Sequence, residues 1–295
     1  MKITVTGSLG NISGPLATLL VNAGHDVTVV TSSAGKKADI EAIGAKAAVG
    51  SAEDADFLTQ AFTGADVVYT MVPQQGNSDD YKAFIRKIAA NLAAAVKNSG
   101  VTKVVNLSSI GADVPSGTGP IAGMHDAEEI LGKLDGVTIK TLRPASFYYN
   151  FYANIGMIKH GGIIGANYPA DTPLVLVHPK DISDAAFEEI TAPFTGNTIR
   201  YIASDEKTAA EVTTIIGAAI GKPELPWIEF TDEQSIGGMQ QAGLSEDVAK
   251  NLTEMGNAAK SGIIFTDYYK HKPALSKRKF EDFAKEEFAA AYNAS

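Results

Sequence analysis

The sequence predicts an α/β protein, a doubly wound parallel sheet followed by a smaller mixed α/β domain. Met1 to Gly24 reads as a buried strand, a glycine turn and a helix that starts at the turn. Six strand-and-helix units alternate over the first 144 residues, with no internal repeat and no low-complexity linker. Beyond them the pattern loosens, with an aromatic run from Phe147 to Tyr152 and glycines at Gly161, Gly162 and Gly165.

Ile3 and Val5, with β-branched Thr4 and Thr6, form a short extended run charged only at Lys2, as a central parallel strand requires. Gly7 breaks it. Gly7 and Gly10 have no Cβ, so the backbone can turn tightly and approach a diphosphate. Gly7, Leu9, Gly10, Asn11 and Ile12 can then present N–H groups at the start of a helix, where the dipole also favours an anion. Asn11, Ile12 and Ser13 are expected to form its first turn, Leu16, Leu19 and Leu20 its apolar stripe, and Gly24 its C-terminal cap. After His25 and Asp26 comes a second strand, Val27 to Val30, completing the βαβ unit of a dinucleotide site.

Sites that prefer NAD usually carry a carboxylate after the second strand. Here Thr31, Ser32 and Ser33 follow it. Hydroxyls can donate to a 2′-phosphate and Lys36 or Lys37 can neutralise it, so NADP(H) is the preferred cofactor and NAD(H) the alternative. A solvated helix start is the plain alternative for the two lysines. A helix through Ile40 and Ile43 leads to a third strand near Ala47 to Val49. Ser51 is the expected cap of a helix from Glu53 to Phe62. Asp66 opens the fourth strand, VVYTMV. Ligands of such sheets sit beyond the C-terminal strand ends, so Met71, Val72 and Pro73 are expected against the cofactor, with core packing as the alternative for Met71.

Tyr81 to Ser99 predicts a long helix, with Phe84, Ile85, Ile88, Leu92 and Val96 on one face and Gly100 closing it. The fifth strand, KVVNL, ends in Ser108 and Ser109, and a Gly/Pro/Ser-rich loop runs on to Gly123. A helix from His125 to Leu134 and a sixth strand, VTIKTL, ending in Arg143 and Pro144, complete the regular part. Asp181 to Ile190 and Glu211 to Ile220 read as helices with a strand, TIRYIA, between them. PWIEF reads as a strand, and Asp232 to Lys260 and Lys277 to Tyr292 as helices. The expected division is a dinucleotide-binding domain over 1–150, to which 177–205 returns, and a smaller substrate-binding or lid domain over 151–295.

With 295 residues, 45% hydrophobic and 20% charged, the chain has an ordinary globular composition. A net charge of −9 argues against nucleic acid or an anionic membrane as partner. The absence of cysteine excludes disulfides, thiolate catalysis and cysteine-ligated metal. Five histidines without a His-x-x-x-His pair give no reason to expect a metal. No apolar run reaches the roughly 18 residues of a membrane span, and a strand starting at residue 2 leaves no room for a leader, so the cytoplasm is the expected compartment.

Thr6, Gly7 and Gly10 in the first turn, VVNLSS closing the fifth strand, and LRPASFYYN after the sixth together resemble the NmrA-like branch of the atypical short-chain dehydrogenase/reductases. The resemblance runs over the whole chain and includes VHPKDISDAA at 177–186, similar to the family segment in which a strand leads through an Asp into a helix. It implies a Rossmann fold. Within the branch the likeness is to NADPH-dependent quinone and dye reductases, whose helix after the fifth strand carries a His-x-x-x-Glu pattern, matched by His125 and Glu129. Two positions depart from the family. Ser13 stands at the third glycine of the turn with Gly14 beside it, and Thr31 stands where many members have an Arg.

Typical members of the wider superfamily use a Ser, a Tyr and a Lys four residues after the Tyr. Ser109 keeps the serine position, but the Tyr position falls at Met124 or His125 and the Lys position at Glu128 or Glu129. Alcohol oxidation through a tyrosinate is therefore disfavoured. The expected activity is hydride transfer from NADPH to a quinone-like or conjugated small molecule. His125 and Ser109 are its candidate catalytic residues, Ser108, Pro144 and Phe147 lie along the cofactor, and Tyr148 and Phe151 line an apolar substrate pocket. The alternative for His125 is a hydrogen bond to backbone, and for the aromatics a purely structural contact between domains. A non-catalytic NADP(H)-binding redox sensor acting through a protein partner is the second functional reading, and a homodimer is compatible with either. An isomerase or epimerase is disfavoured by the same missing Tyr.

Overall fold

A computed structural model describes residues 1–295. Its first half alternates β1 (Lys2–Val5), α1 (Ser13–Asn22), β2 (Asp26–Thr31), α2 (Lys37–Ala42), β3 (Lys46–Val49), α3 (Ala55–Phe62), β4 (Val67–Met71), α4 (Tyr81–Ser99), β5 (Lys103–Leu107), α5 (Pro120–Gly132) and β6 (Thr138–Pro144). The second half contains β7 (Ser146–Phe147), α6 (Ile155–Gly161), β8 (Ile164–Ala166), β9 (Pro173–Val177), α7 (Pro179–Thr191), β10 (Thr198–Ile202), β11 (Asp205–Thr208), α8 (Ala209–Ala219) and β12 (Trp227–Glu229). It closes with α9 (Asp232–Gln241), α10 (Glu246–Ser261), α11 (Thr266–Lys270), α12 (Phe280–Phe283) and α13 (Ala289–Ala294).

Seven strands pair in the order β10-β6-β5-β4-β1-β2-β3, every pair parallel. Strand side chains alternate between faces, so a sheet covered on both sides needs apolar residues at successive positions. In β4, Val67 and Tyr69 join Leu16, Leu20, Ile182 and Ala186 of α1 and α7, while Val68 joins Leu58, Ile88 and Leu92 of α3 and α4. The strand order reverses between β1 and β4, which opens a crevice at their C-terminal ends. The glycine turn lies at this crevice.

The rest of the chain builds a three-stranded sheet, β11-β9-β7, and a two-stranded one, β12-β8. Their core gathers Tyr148, Phe151, Leu174, Leu176, Val212, Ile216, Phe280, Phe283 and Phe288. No helix is long and apolar enough to cross a membrane.

Local chemistry moves several expected boundaries. The helix expected from Glu53 starts at Ala55, because the Asp54 carboxylate accepts the Asp56 and Phe57 N–H groups, each at 3.0 Å, whereas the Ser51 hydroxyl accepts only from Glu53. Pro120 begins α5 five residues before His125, since a residue without an N–H and with a fixed φ suits the first helical position. The single helix expected over Asp232 to Lys260 is two, separated at Gly243 (φ +96°) and restarted by Ser245, whose Oγ accepts the Val248 N–H at 3.3 Å. Lys277 to Tyr292 divides into α12, a π turn over Ala284–Phe288 and α13. Strand β11, Asp-Glu-Lys-Thr, has no apolar period and is held by pairing with β9. The loop before α5 is pinned under α10. Gly119 has φ +59°, and a Cβ there would stand 1.9 Å from the Asn251 carbonyl oxygen.

Candidate dinucleotide crevice and its surroundings

Gly7 takes φ +95° and Ser8 φ +57°, a pair of left-handed residues that lifts the chain out of β1. Packing leaves no room for a side chain at Gly7, since a Cβ would lie 2.3 Å from Met71 Sδ and 2.5 Å from Ser13 Oγ. Ser8 N–H bonds to the Val30 carbonyl at 3.0 Å, and Gly14 N–H to that of Gly10 at 2.9 Å. The N–H groups of Leu9, Asn11, Ile12 and Ser13 donate to no protein acceptor. Gly10 and Asn11 are exposed, Leu9 is half-buried, and Ile12 is buried. Helix α1 begins at Ser13 rather than at Asn11, so the donors at Asn11 and Ile12 stand just ahead of it with the positive end of its dipole behind them. The donors and the Cβ-free surface at Gly10 fit a diphosphate.

The expected third glycine is a buried Ser13, whose hydroxyl lies 3.6 Å from Met71 Sδ. Met71 thus closes the floor of the turn, and half-buried Val72 and Pro73 continue from it. Thr31 corrects its expected role. It is buried, and its Oγ1 accepts from Ser8 Oγ at 2.9 Å and from Ser33 N–H at 3.2 Å, so it braces the glycine turn against β2. Ser32 and Lys36 remain exposed beside it. Lys36 stands 3.5 Å from Asp39 and Lys37 3.8 Å from Glu41, solvated pairs that hold neither lysine firmly.

Of the two expected catalytic residues, His125 directs Nδ1 to the Ala112 carbonyl at 2.8 Å and Ser109 directs Oγ to the Ile110 carbonyl at 3.0 Å. The histidine bond puts a proton on Nδ1 and leaves the lone pair of the neutral ring on Nε2. Pro144 is buried and accepts the Ile110 N–H at 2.9 Å. Phe147 is half-buried, its ring 5.1 Å from that of Tyr149. Tyr148 and Phe151, expected in the substrate pocket, are buried in the second core. Tyr148 packs 5.1 Å from Phe280 and donates to the Arg278 carbonyl at 2.9 Å, and Phe151 packs 5.2 Å from Phe280. Tyr149, half-buried, packs beside Phe147. Burial pushes its phenol up to about 12. Tyr149 therefore stays protonated at neutral pH.

Ser108 is buried. Its Oγ donates to Glu128 Oε1 at 2.5 Å, and the same carboxylate takes two bonds from Arg143, Nε at 3.0 Å and Nη2 at 2.7 Å. Arg143 Nη1 reaches the Tyr201 hydroxyl at 2.9 Å, which donates to Asp267 Oδ2 at 2.7 Å. Burial alone would lower the Arg143 guanidinium, but its hydrogen bonds to Glu128 outweigh that and hold it above its ordinary value. Glu128 is one of the two residues at the expected Lys position, and its carboxylate is committed to Ser108 and Arg143. A groove of about 690 Å³ beside β10 is lined by Glu128, Thr141, Ile199, Asp267 and His271 and includes no residue of the glycine turn.

The Tyr201 hydrogen bond, with the nearby His271 and Arg143, outweighs burial and holds the Asp267 carboxyl below its usual range. A depressed folded value means that the stabilisation is complete above the unfolded pKa of about 4 and is lost as pH falls through the folded value. The urea midpoint of the wild type is therefore expected to fall on acidification below about pH 4, and that of Asp267→Asn to fall less over the same window. Parallel profiles would show that Asp267 contributes nothing to acid unfolding.

Residues 7–138 match the NAD(P)H-binding family model. The matched segment runs from the glycine turn to the start of β6 and contains the crevice. Three solved structures share the architecture over almost the whole chain. An NADPH-dependent quinone oxidoreductase from Escherichia coli, complexed with NADPH, superposes with a TM-score of 0.81 at 17% identity, covering 97% of this chain and 99% of that one. A triphenylmethane reductase from a Citrobacter species, complexed with NADP(H), gives 0.80 at 19% identity, covering 97% and 99%. A nucleoside-diphosphate-sugar epimerase from Staphylococcus aureus gives 0.81 at 17% identity, covering 97% and 100%. At these identities the likeness is one of fold, a Rossmann-like sheet with a smaller domain. No curated protein matches the sequence.

Proposed function

We propose that this chain is an NADPH-dependent oxidoreductase whose acceptor is a quinone-like or extended conjugated small molecule. The observation that carries the reading is the set of unpaired N–H groups at Leu9, Asn11, Ile12 and Ser13 beside the strand-order reversal, within the segment that matches NAD(P)H-binding domains. Bound NADPH supplies a hydride from its nicotinamide ring. Asn11 and Ile12 hold the diphosphate, and Ser32 and Lys36 are the donors nearest to a 2′-phosphate. Met71, Val72, Pro73 and Phe147 give the crevice apolar walls that exclude water. The quinone and dye reductases of the same fold support the choice of acceptor.

The residues present suit an acceptor that needs no strong protein acid. Met124 or His125 stands in place of the phenol and Glu128 or Glu129 in place of its activating cation, and Tyr149 is too weak an acid to give up its proton readily. His125, whose Nδ1 is held by the Ala112 carbonyl, would have to act through Nε2.

Loss of reduced-nicotinamide absorbance in the presence of a quinone panel tests the activity. Turnover with at least one acceptor, and an affinity for NADPH about tenfold above that for NADH, are expected. Tight NADPH binding without turnover would replace the enzyme with a redox sensor. Equal affinities for the two nucleotides would remove the preference for NADP(H).

A further inference from the structure

We infer that Ser183, on α7, is a positioning residue for the dinucleotide turn, an inference that rests on the nucleotide reading above. Ser183 is 1% exposed and lies 171 residues from its partner, yet its Oγ stands 2.9 Å from the carbonyl oxygen of Ile12. The same hydroxyl is 3.2 Å from the Pro179 carbonyl, the ordinary back-bond of a helical serine. Both neighbours are acceptors, so the one hydroxyl proton is shared and the shorter contact goes to Ile12.

Ile12 is the residue immediately before α1, and no side chain caps this helix. Its carbonyl accepts the Leu16 N–H at 3.1 Å as well as the Ser183 hydroxyl. In a planar trans peptide the C=O and N–H point in opposite directions. Anchoring the Ile12 oxygen from the α7 side therefore fixes the Ser13 N–H, which points away from it, as one of the unpaired donors of the turn. Two donors on one carbonyl also polarise the peptide and strengthen that N–H as a donor. An entropy cost that nucleotide binding would otherwise carry is met in the free protein.

Helix α7 is a firm post for this contact. Its first turn is tied down by Asp181, which accepts from Ser204 Oγ and Ser276 Oγ at 2.5 Å each and pairs with Arg278, and Arg278 also reaches Asp184 at 2.7 Å. Ile182, Ala185 and Ala186 of α7 pack in the same core as Leu16 and Ala17 of α1. Ser183 is thus fixed relative to the sheet independently of the glycine turn that it holds.

Titration of the full chain with NADPH, followed by nicotinamide fluorescence, and with adenosine 2′-monophosphate, followed calorimetrically, tests the assignment. The second compound lacks the diphosphate bridge. Ser183→Ala is expected to weaken NADPH binding about fivefold, to leave adenosine 2′-monophosphate unchanged, and to be largely rescued by Ser183→Thr, which keeps the hydroxyl. An NADPH affinity within twofold of wild type in Ser183→Ala would overturn the inference. So would equal weakening of both compounds, the signature of a general loss of structure. A wild-type chain that binds neither compound would remove the nucleotide reading and this inference with it.

Discussion

Gly7→Ala is expected to weaken NADPH binding at least about 100-fold, a loss of close to 3 kcal/mol. A side chain at φ +95° costs about 1 kcal/mol before any contact is counted. The new Cβ would then overlap Met71 Sδ at 2.3 Å and Ser13 Oγ at 2.5 Å, and Ser13 is buried in the first turn of α1. Rotating Met71 relieves only one contact. The turn must open, and the unpaired N–H groups of Asn11, Ile12 and Ser13 that it carries are displaced. Gly10→Ala is the internal comparison, because its φ is ordinary and its nearest atom, the Gly7 oxygen, lies at 3.2 Å. The folded protein should tolerate it with a thermal midpoint near that of wild type, while Gly7→Ala lowers the midpoint by several degrees. Binding by Gly7→Ala within threefold of wild type would mean that the glycine turn does not hold the nucleotide.

The sheet was legible because its strands and helices obey local rules strongly. Ile3, Val5, Val67 and Val68 sit where a strand buried on both faces needs them, and Gly7 and Gly100 mark turns that other residues adopt poorly. Elements secured by tertiary pairing were not legible. Strand β11 carries Asp205, Glu206 and Lys207 in succession, and what makes it a strand is the backbone of β9. The aromatic run after β6 did not show which of its rings enter the second core, since periodicity does not say where each one points. Tyr148 and Phe151 turn into the core of Phe280 and Phe283, sequence neighbours only at a distance of some 130 residues, and Phe147 and Tyr149 keep company outside it. Ser183 left no signal either, because a serine in a helix is unremarked until α7 is known to pack beside α1.

The other large effect is expected at Arg143. Its side chain is 6% exposed and the Glu128 carboxylate 14%, so the pair exchanges almost all of its hydration for hydrogen bonds to each other, to Ser108 and to Tyr201. Desolvation makes such a pair a weak net contributor when compared with well-packed apolar residues, but removing one partner leaves an uncompensated charge. Arg143→Met is therefore expected to destabilise the protein by about 3–5 kcal/mol in urea unfolding at neutral pH, because Glu128 keeps only the Ser108 hydroxyl while Tyr201 loses its cationic neighbour. Glu128→Gln in the same background removes the orphaned carboxylate and should restore about half of the loss, a coupling that only a double-mutant cycle separates from lost packing. The network joins the residue after β5 with β6, α5, β10 and α11 on the groove side of the sheet, and it shares no residue with the glycine turn. NADPH affinity of the folded Arg143→Met protein should consequently stay within about threefold of wild type. Additive single and double effects on stability would show that the two side chains merely lie side by side.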